Sequence, residues 1–347
     1  MRKLFVIGNG FDMAHGLPTS YDNFKKFLIE EYEYEETDGG VVPELSITSD
    51  GDEYYDDDQV VKFLIEIISK AEEEIKAPPR LEDIILIKEI KISEDGKELI
   101  KFELKNINEI RGHEIKWSDL ENSIGILEFS EFFDCFEGDD EDDDFNEYHK
   151  VYRNYDIAQN LIIPTLKITD YFTEWIETIE IENVECNRKF KSLINKEDLF
   201  LNFNYTRTLE DIYDVESVCH IHGVQGEELL FGHSNNKSEY DKNMGNYIGA
   251  EEHLEYIKNS LLKDTKSALE KNIYFFEKLE NEVSEIYSYG FSFADVDMIY
   301  IKEICSRLNT ENIIWYFNDY DYDEKGESYK TKLINCGYKG KFSTFNV

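Results

Sequence analysis

The stretch from Leu4 to Thr19, LFVIGNGFDMAHGLPT, decides the fold of this chain. It opens with four apolar residues that run directly into Gly8-Asn9-Gly10. A short apolar run that ends at glycines predicts a strand buried on both faces, as in a parallel α/β sheet. Gly8 and Gly10 would let the backbone turn sharply and bring bare amides close to a ligand.

A turn and a helix are predicted after the glycine loop. Residues 16–20 are typical of a turn that ends in a helix cap. Apolar residues then recur at helical spacing, at Tyr21, Phe24, Phe27 and Leu28. Strand, glycine loop and helix together present oriented N–H groups to a phosphate. The next glycine after Gly10 is Gly16, so this is not the G-x-G-x-x-G fingerprint, and a tight turn without a ligand fits the pattern equally.

The composition predicts a soluble protein with a large core. The 347 residues are 41% hydrophobic and 14% aromatic, enough for one large domain or two ordinary ones. Lys and Arg number 37 against 76 Asp and Glu, a net charge of −39. This charge repels nucleic-acid phosphates and anionic membrane surfaces. We therefore expect no membrane and no direct nucleic-acid partner, whereas a small anionic ligand remains compatible.

Cysteine usage and hydropathy predict a cytoplasmic location. The five cysteines are scattered without a C-x-x-C pair, which argues against a disulfide framework and against a zinc ribbon. The first apolar run stops at Gly8, too short for a signal peptide, and no window reaches membrane-spanning length.

Strands and helices are predicted to alternate through the second half of the chain. The predicted strands cover 199–203, 218–222, 229–231, 286–291 and 313–317. The predicted helices cover 147–181 with a break at Pro164, 208–213, 251–282 and 296–307. This alternation predicts a Rossmann-like, doubly wound α/β fold with a mainly parallel sheet and added helices.

An insertion is predicted at 34–112, which leaves 1–33 and 113–347 as the core. Residues 34–58 are acidic and turn-rich, typical of a solvated loop. An amphipathic helix is predicted from Val60 to Ile75, followed by a β-hairpin around Asp95-Gly96. In the core, Ser118 is predicted to cap a helix, and the acidic run 138–144 is predicted to be a loop.

Polar or glycine-rich clusters follow the predicted strands at 8–12, 202–206, 220–223 and 290–297. The carboxyl ends of strands in an open parallel sheet meet at one crevice, where ligands bind. Asn204 could cap a helix or hold a sugar hydroxyl or a water. His220 and His222 are two residues apart and share a face, and a histidine before glycine suits a general base.

The motifs GNGFDMAHGLPTSYDNF, WSDLENSIG, FNYTRTLE, HIHG and YGFSFADVD, in this order, resemble the AbiH family of bacterial phage abortive-infection proteins. That family is similar in turn to the sirtuin-like NAD-binding fold. The resemblance implies that Asn204 and His222 are the catalytic residues. It also implies a set of cofactor-binding residues, which comprises Gly8, Asn9, Gly10, Phe11, Asp12, Pro18, Thr19, Gly290, Ser292 and Asp295.

The resemblance favours an NAD⁺ glycohydrolase that acts in antiphage defence, with NAD as substrate and no metal. Asn204 would hold the ribose hydroxyl or the water, His222 would accept the proton, and amides of the Gly8–Gly10 loop would hold the pyrophosphate. His220 is the other candidate for the base. A second copy of the chain or another defence protein is a candidate partner.

Two other functions fit the same residues. One is a metal-dependent phosphoesterase or nuclease whose ligands would be Asp12, His220, His222 and His233. The other is a non-catalytic nucleotide sensor or assembly subunit, which would keep the glycine loop but not need His222.

Overall fold

The protein is described by a computed structural model that covers residues 2–32, 42–76, 84–92, 98–106, 124–125, 127, 129–134, 143–280 and 283–347. Its strands, in chain order, are β1 (Arg2–Ile7), β2 (Leu45–Ile47), β3 (Glu53–Tyr55), β4 (Ile84–Ile92), β5 (Glu98–Asn106), β6 (Leu199–Asn202), β7 (Val218–His220), β8 (Val283–Tyr289), β9 (Ile314–Asn318) and β10 (Lys341–Phe345).

The central sheet has six strands in the order β10-β9-β8-β1-β6-β7. Every neighbouring pair in it is parallel. Counted along the chain, its strands are ordered 3-2-1-4-5-6, which is the order of dinucleotide-binding Rossmann folds. The predicted doubly wound, mainly parallel α/β sheet is therefore confirmed. The strand order reverses between β1 and β8, which places their carboxyl ends at the position where such sheets bind ligands.

The two faces of the sheet bury alternate residues of β1. Leu4 and Val6 belong to one hydrophobic core, and Phe5 and Ile7 belong to another. This alternation follows from the two-residue period of a strand, and both faces are apolar because helices cover both. We call them the Val6 face and the Phe5 face.

Helices that follow β7 along the chain cover the Val6 face, and three helices of six residues each cover the Phe5 face. On the Val6 face lie Thr265–Lys271, Ile273–Glu277, Met298–Arg307 and Asp319–Asn335. On the Phe5 face lie Asn9–Ala14, Arg188–Leu193 and Thr208–Tyr213.

A third core is built mainly from helices that precede β6. These are Tyr21–Glu31, Asp57–Lys76, Ser130–Asp134, Asp143–Leu166 and Ile168–Glu177, joined by Glu251–Ser260. Ser20 caps the first of them as predicted, with Asn23 completing a capping box. Tyr205 belongs to this core, which therefore lies against the segment that follows β6. Among the described helices, none is both long enough and apolar enough for a membrane crossing.

Most of the predicted insertion elements are present. The amphipathic helix is Asp57–Lys76, and β4 and β5 pair as an antiparallel hairpin. The prediction of a loop for the acidic stretch 34–58 is wrong in part, because β2 and β3 pair there. The helix packs into the third core beside Tyr21–Glu31, and the boundaries of a separate insertion at 34–112 remain a prediction.

Three other element predictions are corrected by the structure. Residues 229–231 are not a strand. The Leu230 N–H donates to the His222 carbonyl, its carbonyl accepts from the Tyr205 hydroxyl, and Phe231 stacks on Phe172 at 4.1 Å. The helix predicted at 251–282 is three helices, because the backbone at 261–263 bonds to His233 instead. The helix predicted at 147–181 breaks at Lys167 and ends at Glu177, and Pro164 lies within its first part.

The sequence also left the last helix and β10 unpredicted. The predicted Ser118 cap, the turn at Asp95-Gly96 and most of the 138–144 run lie outside the described residues.

Candidate functional site

The glycine loop after β1 packs directly against the turn after β8. The N–H of Gly8 donates to the carbonyl of Tyr289 and the N–H of Gly10 to the carbonyl of Gly290, both at 3.0 Å. A Cβ atom on Gly290 would lie 2.2 Å from the Phe11 nitrogen, and its φ is +64°. These glycines allow two backbones to touch. Because both amides are engaged, the loop does not offer them to a pyrophosphate in this conformation.

Asp12 follows the loop on helix Asn9–Ala14 and is buried, with 1% of its surface exposed. The Thr206 hydroxyl donates to its Oδ2 atom at 2.5 Å, and the hydroxyls of Thr206 and Thr208 lie 2.9 Å apart. Its Oδ1 atom is buried without a hydrogen-bond partner. Burial raises the pKa of Asp12 to about 6, although the two threonines, Asn204 and the charge of His220 oppose the rise.

Asn204 lies beside Asp12, close enough to lower its pKa but not aligned for a hydrogen bond. Only 4% of its surface is exposed, and both polar atoms of its amide are buried without a partner. Its backbone N–H donates to Asn202 Oδ1 at 3.1 Å, which holds the turn after β6. A buried amide without partners is costly, so it is a candidate for ligand binding.

His220 reaches the same group of residues from the end of β7. Its Nε2 atom lies 2.6 Å from Glu210 Oε1, and its Nδ1 atom is 3.4 Å from both Asn202 Nδ2 and the Asn204 carbonyl. A carboxylate paired to one ring nitrogen orients the imidazole. We call Asp12, Asn204, Thr206, Thr208 and His220 the Asp12 cluster.

His222 belongs to a second group, which we call the His222 cluster, with Asp297 and Lys263. All three are buried, and His222 Nε2 lies 3.3 Å from Asp297 Oδ1, not aligned for a hydrogen bond. Burial and then the charge of Lys263 lower the pKa of His222 to about 4, against the influence of Asp297. Burial would raise the pKa of Asp297, but Lys263 and His222 hold it below its ordinary value.

The two clusters contact different cores. His222 packs against the rings of Phe203 and Tyr300, which belong to the core of the Val6 face. Asp12 follows Phe11, a residue of the core on the Phe5 face. No hydrogen bond joins the Asn204 side chain to His222. Both histidines therefore contact the Asn202–Asn204 segment. His220 contacts it through Asn202 Nδ2 and the Asn204 carbonyl, and His222 contacts it through Phe203.

The other predicted cofactor-binding residues are dispersed. Asn9 Nδ2 donates to the Thr19 carbonyl at 2.8 Å, and the Thr19 hydroxyl is buried without a partner. Phe11 is a fully buried core residue. Pro18 and Ser292 are exposed, and Asp295 is also exposed and pairs with Lys332 at 2.8 Å.

The residues of the metal-dependent alternative do not form one ligand set. His233 is buried apart from the Asp12 cluster, where its Nε2 donates to the Lys258 carbonyl at 2.9 Å and its Nδ1 accepts from the Asn235 N–H at 3.1 Å. In the part of the chain that the structure describes, no three His, Cys, Asp or Glu residues are grouped as metal ligands would be. This arrangement does not support the metal-dependent reaction.

The sequence did not predict three residues that belong to the two clusters or contact them. Thr208 and Glu210 start a short helix, and threonine and glutamate there are equally typical of a helix N-terminus. The only available signal was the recurrence of polar residues every second position from Asn202 to Glu210. Lys263 lies in a break within a predicted helix, and no sequence signal pointed to it.

Comparison with known proteins identifies the family. A family model described as bacteriophage abortive infection AbiH matches residues 4–319 of the chain. Neither a search of curated proteins nor a search of solved structures gave a significant match. The similarity to the sirtuin-like NAD-binding fold therefore stays a prediction. The family match spans the glycine loop and both clusters, and the chain accordingly belongs to the AbiH family of bacteriophage abortive-infection proteins.

Proposed function

We propose that this AbiH protein stops phage infection by hydrolysing NAD⁺ to nicotinamide and ADP-ribose. The observation that carries the proposal is a set of buried atoms without hydrogen-bond partners, both polar atoms of the Asn204 amide and Oδ1 of Asp12, beyond the carboxyl ends of β6 and β1. A sheet with the strand order 3-2-1-4-5-6 binds dinucleotides at this edge. The family supplies the biological setting, which is abortive infection.

The reaction breaks the bond between the nicotinamide nitrogen and C1′ of the ribose, and the electron pair leaves with neutral nicotinamide. A water oxygen then bonds to C1′, and its proton passes to a base. The ribose becomes cation-like on the way, so catalysis needs positioning and a modest base. The Asn204 amide would hold the ribose hydroxyl or the water.

The base is proposed to be His222, with His220 as the competing candidate. His222 is neutral at pH 7 because its pKa is about 4, and a neutral imidazole can accept a proton. His220 has the advantage of position, since Glu210 orients it and its ring lies beside the backbone of Asn204. Single substitutions of the two histidines separate these roles.

The described conformation is closed around the site. Asp12 and Asn204 expose 1% and 4% of their surfaces, and the Gly8 and Gly10 amides donate to the last residue of β8 and to the turn after it. NAD or ADP-ribose must therefore displace surrounding segments as it binds, at a cost to its affinity.

The test measures NAD in bacteria that express the chain and are then infected with a phage that it restricts. We expect the NAD concentration to fall before lysis, and to stay constant with Asn204→Ala, which should slow cleavage roughly 100-fold. The base is identified by whichever of His220→Ala and His222→Ala also preserves NAD. The matched control is His149→Ala, which removes an exposed histidine of helix Asp143–Leu166.

Protection from phage with unchanged NAD would reject the proposed reaction. If the Asn204→Ala and His222→Ala proteins also still protected, the function would be that of a non-catalytic sensor.

A further inference from the structure

Two adjacent side chains of the Asp12 cluster carry polar atoms without hydrogen-bond partners. Asp12 Oδ1 is buried without a partner, although Thr206 donates to the other oxygen of the same carboxylate. The Asn204 amide, which influences Asp12 directly, has neither its oxygen nor its nitrogen bonded. Buried polar groups are normally satisfied, so three unsatisfied atoms on two adjacent side chains indicate a place for a polar ligand.

The chemistry of these atoms selects the ligand. A carboxylate oxygen only accepts hydrogen bonds, and an amide both accepts and donates. A phosphate would be repelled by the carboxylate. Two neighbouring hydroxyl groups fit, because one can donate to Asp12 while the other donates to or accepts from Asn204. Such a pair is the 2′,3′-diol of a ribose.

We propose that Asp12 and Asn204 together bind the diol of the nicotinamide-side ribose, and that Asp12 is therefore a further catalytic residue of this site. Its hydroxyl partners support this role. Thr206 and Thr208 form a short chain of hydroxyls that ends on Asp12 Oδ2 and directs the free Oδ1 away from them. A carboxylate held in this way also faces the positive charge that develops on the ribose as its bond to nicotinamide breaks.

The role rests on the proposed NAD reaction, but diol binding can be measured without cleavage. Burial gives Asp12 a pKa of about 6, so the carboxylate is mostly ionised at pH 7.5 and mostly protonated at pH 5. A protonated carboxyl loses most of its strength as an acceptor. Binding through Asp12 should therefore weaken as the pH falls through 6.

The experiment titrates the purified full chain with ADP-ribose and, separately, with ADP, by calorimetry at pH 7.5 and pH 5. We expect Asp12→Asn to weaken ADP-ribose binding roughly tenfold or more, as loss of a charged hydrogen-bond acceptor does. Binding of ADP, which lacks the second ribose, should change by less than twofold. Wild-type affinity for ADP-ribose should fall between pH 7.5 and pH 5, and the affinity of the variant should not.

Two controls guard against a general effect of the substitution. Asp198→Asn removes another buried carboxylate, which precedes β6 at the opposite end of the sheet and binds the Lys3 and Asn195 N–H groups. It should leave ADP-ribose binding unchanged. Thr206→Val keeps the carboxylate but removes its donor, so the pH at which binding weakens should shift upward.

The proposal is overturned if the wild type does not bind ADP-ribose, if Asp12→Asn binds it as well as the wild type, or if ADP binding weakens equally. Failure of the proposed reaction looks different. In that case the Asp12-dependent binding of ADP-ribose would be present while infected cells keep their NAD.

Discussion

The hydroxyl of Thr206 donates a 2.5 Å hydrogen bond to Asp12 across 194 residues of sequence. It joins the end of the glycine loop to the segment after β6, and both partners are buried. The bond helps to hold a carboxylate in its charged form where burial disfavours charge. Functional sites commonly keep such groups at a cost in stability.

Asp12→Asn should therefore stabilise the protein above pH 6. Because the pKa of Asp12 is about 6 in the folded protein against 3.8 ordinarily, its ionised form opposes folding above pH 6. Removal of that charge should add roughly 1–3 kcal/mol to the free energy of unfolding at pH 7.5, and much less at pH 4. Urea denaturation at the two pH values measures this difference. A variant that is less stable than the wild type at pH 7.5 would contradict the explanation.

His222 should change the free energy of unfolding with pH in the direction opposite to Asp12. Its pKa is about 4 in the folded protein against 6.5 ordinarily, so between these values the unfolded chain binds the extra proton. Stability from this group is present above pH 6.5 and is lost as the pH falls towards 4. Between pH 6.5 and pH 4, the free energy of unfolding of His222→Gln should fall by roughly 3 kcal/mol less than that of the wild type. His149→Gln is the exposed control, and an equal change in both variants would refute the assignment.

Gly290→Ala should destabilise the fold far more than Gly16→Ala. Both glycines have a left-handed backbone, with φ of +64° and +76°. A Cβ atom on Gly290 would lie 2.2 Å from the Phe11 nitrogen, whereas one on Gly16 would meet nothing within 4 Å. We expect a loss of roughly 3 kcal/mol or more for Gly290→Ala and about 1 kcal/mol for Gly16→Ala. Similar melting temperatures for the two variants would show that the β1 and β8 turns are not in contact.

Removal of metal ions should leave the protein unchanged. His233 uses both ring nitrogens within the protein, and among the described residues no group of three potential ligands is present. We expect the same melting temperature for the wild type before and after metal removal, and the same NAD loss in infected cells for the wild type and for a His233→Gln variant that retains its fold. Dialysis of the purified chain against EDTA, followed by elemental analysis, is the direct check. A stoichiometric metal whose removal lowers the melting temperature would restore the metal-dependent alternative.

The sequence by itself determined the architecture of this protein. Local periodicity, which depends only on neighbouring residues, predicted strand β1 from the apolar run before Gly8 and the amphipathic helix from Val60 onward. It also predicted the alternation of strands and helices. The motifs also determined the family. Where local signals misled, as at 229–231 and 251–282, tertiary hydrogen bonds to His222 and His233 competed with the local preference.

Only the tertiary structure decided which polar residues meet. Gly8 and Gly10 look like a phosphate loop in sequence, but their amides donate to the last residue of β8 and to the turn after it. His220 and His222 are two residues apart, yet one joins Glu210 beside Asn204 and the other joins Asp297. Asp12 acquires its raised pKa from burial against residues nearly 200 positions away. Contacts between distant segments depend on how the sheet is assembled, and a single sequence does not contain that information in its local pattern.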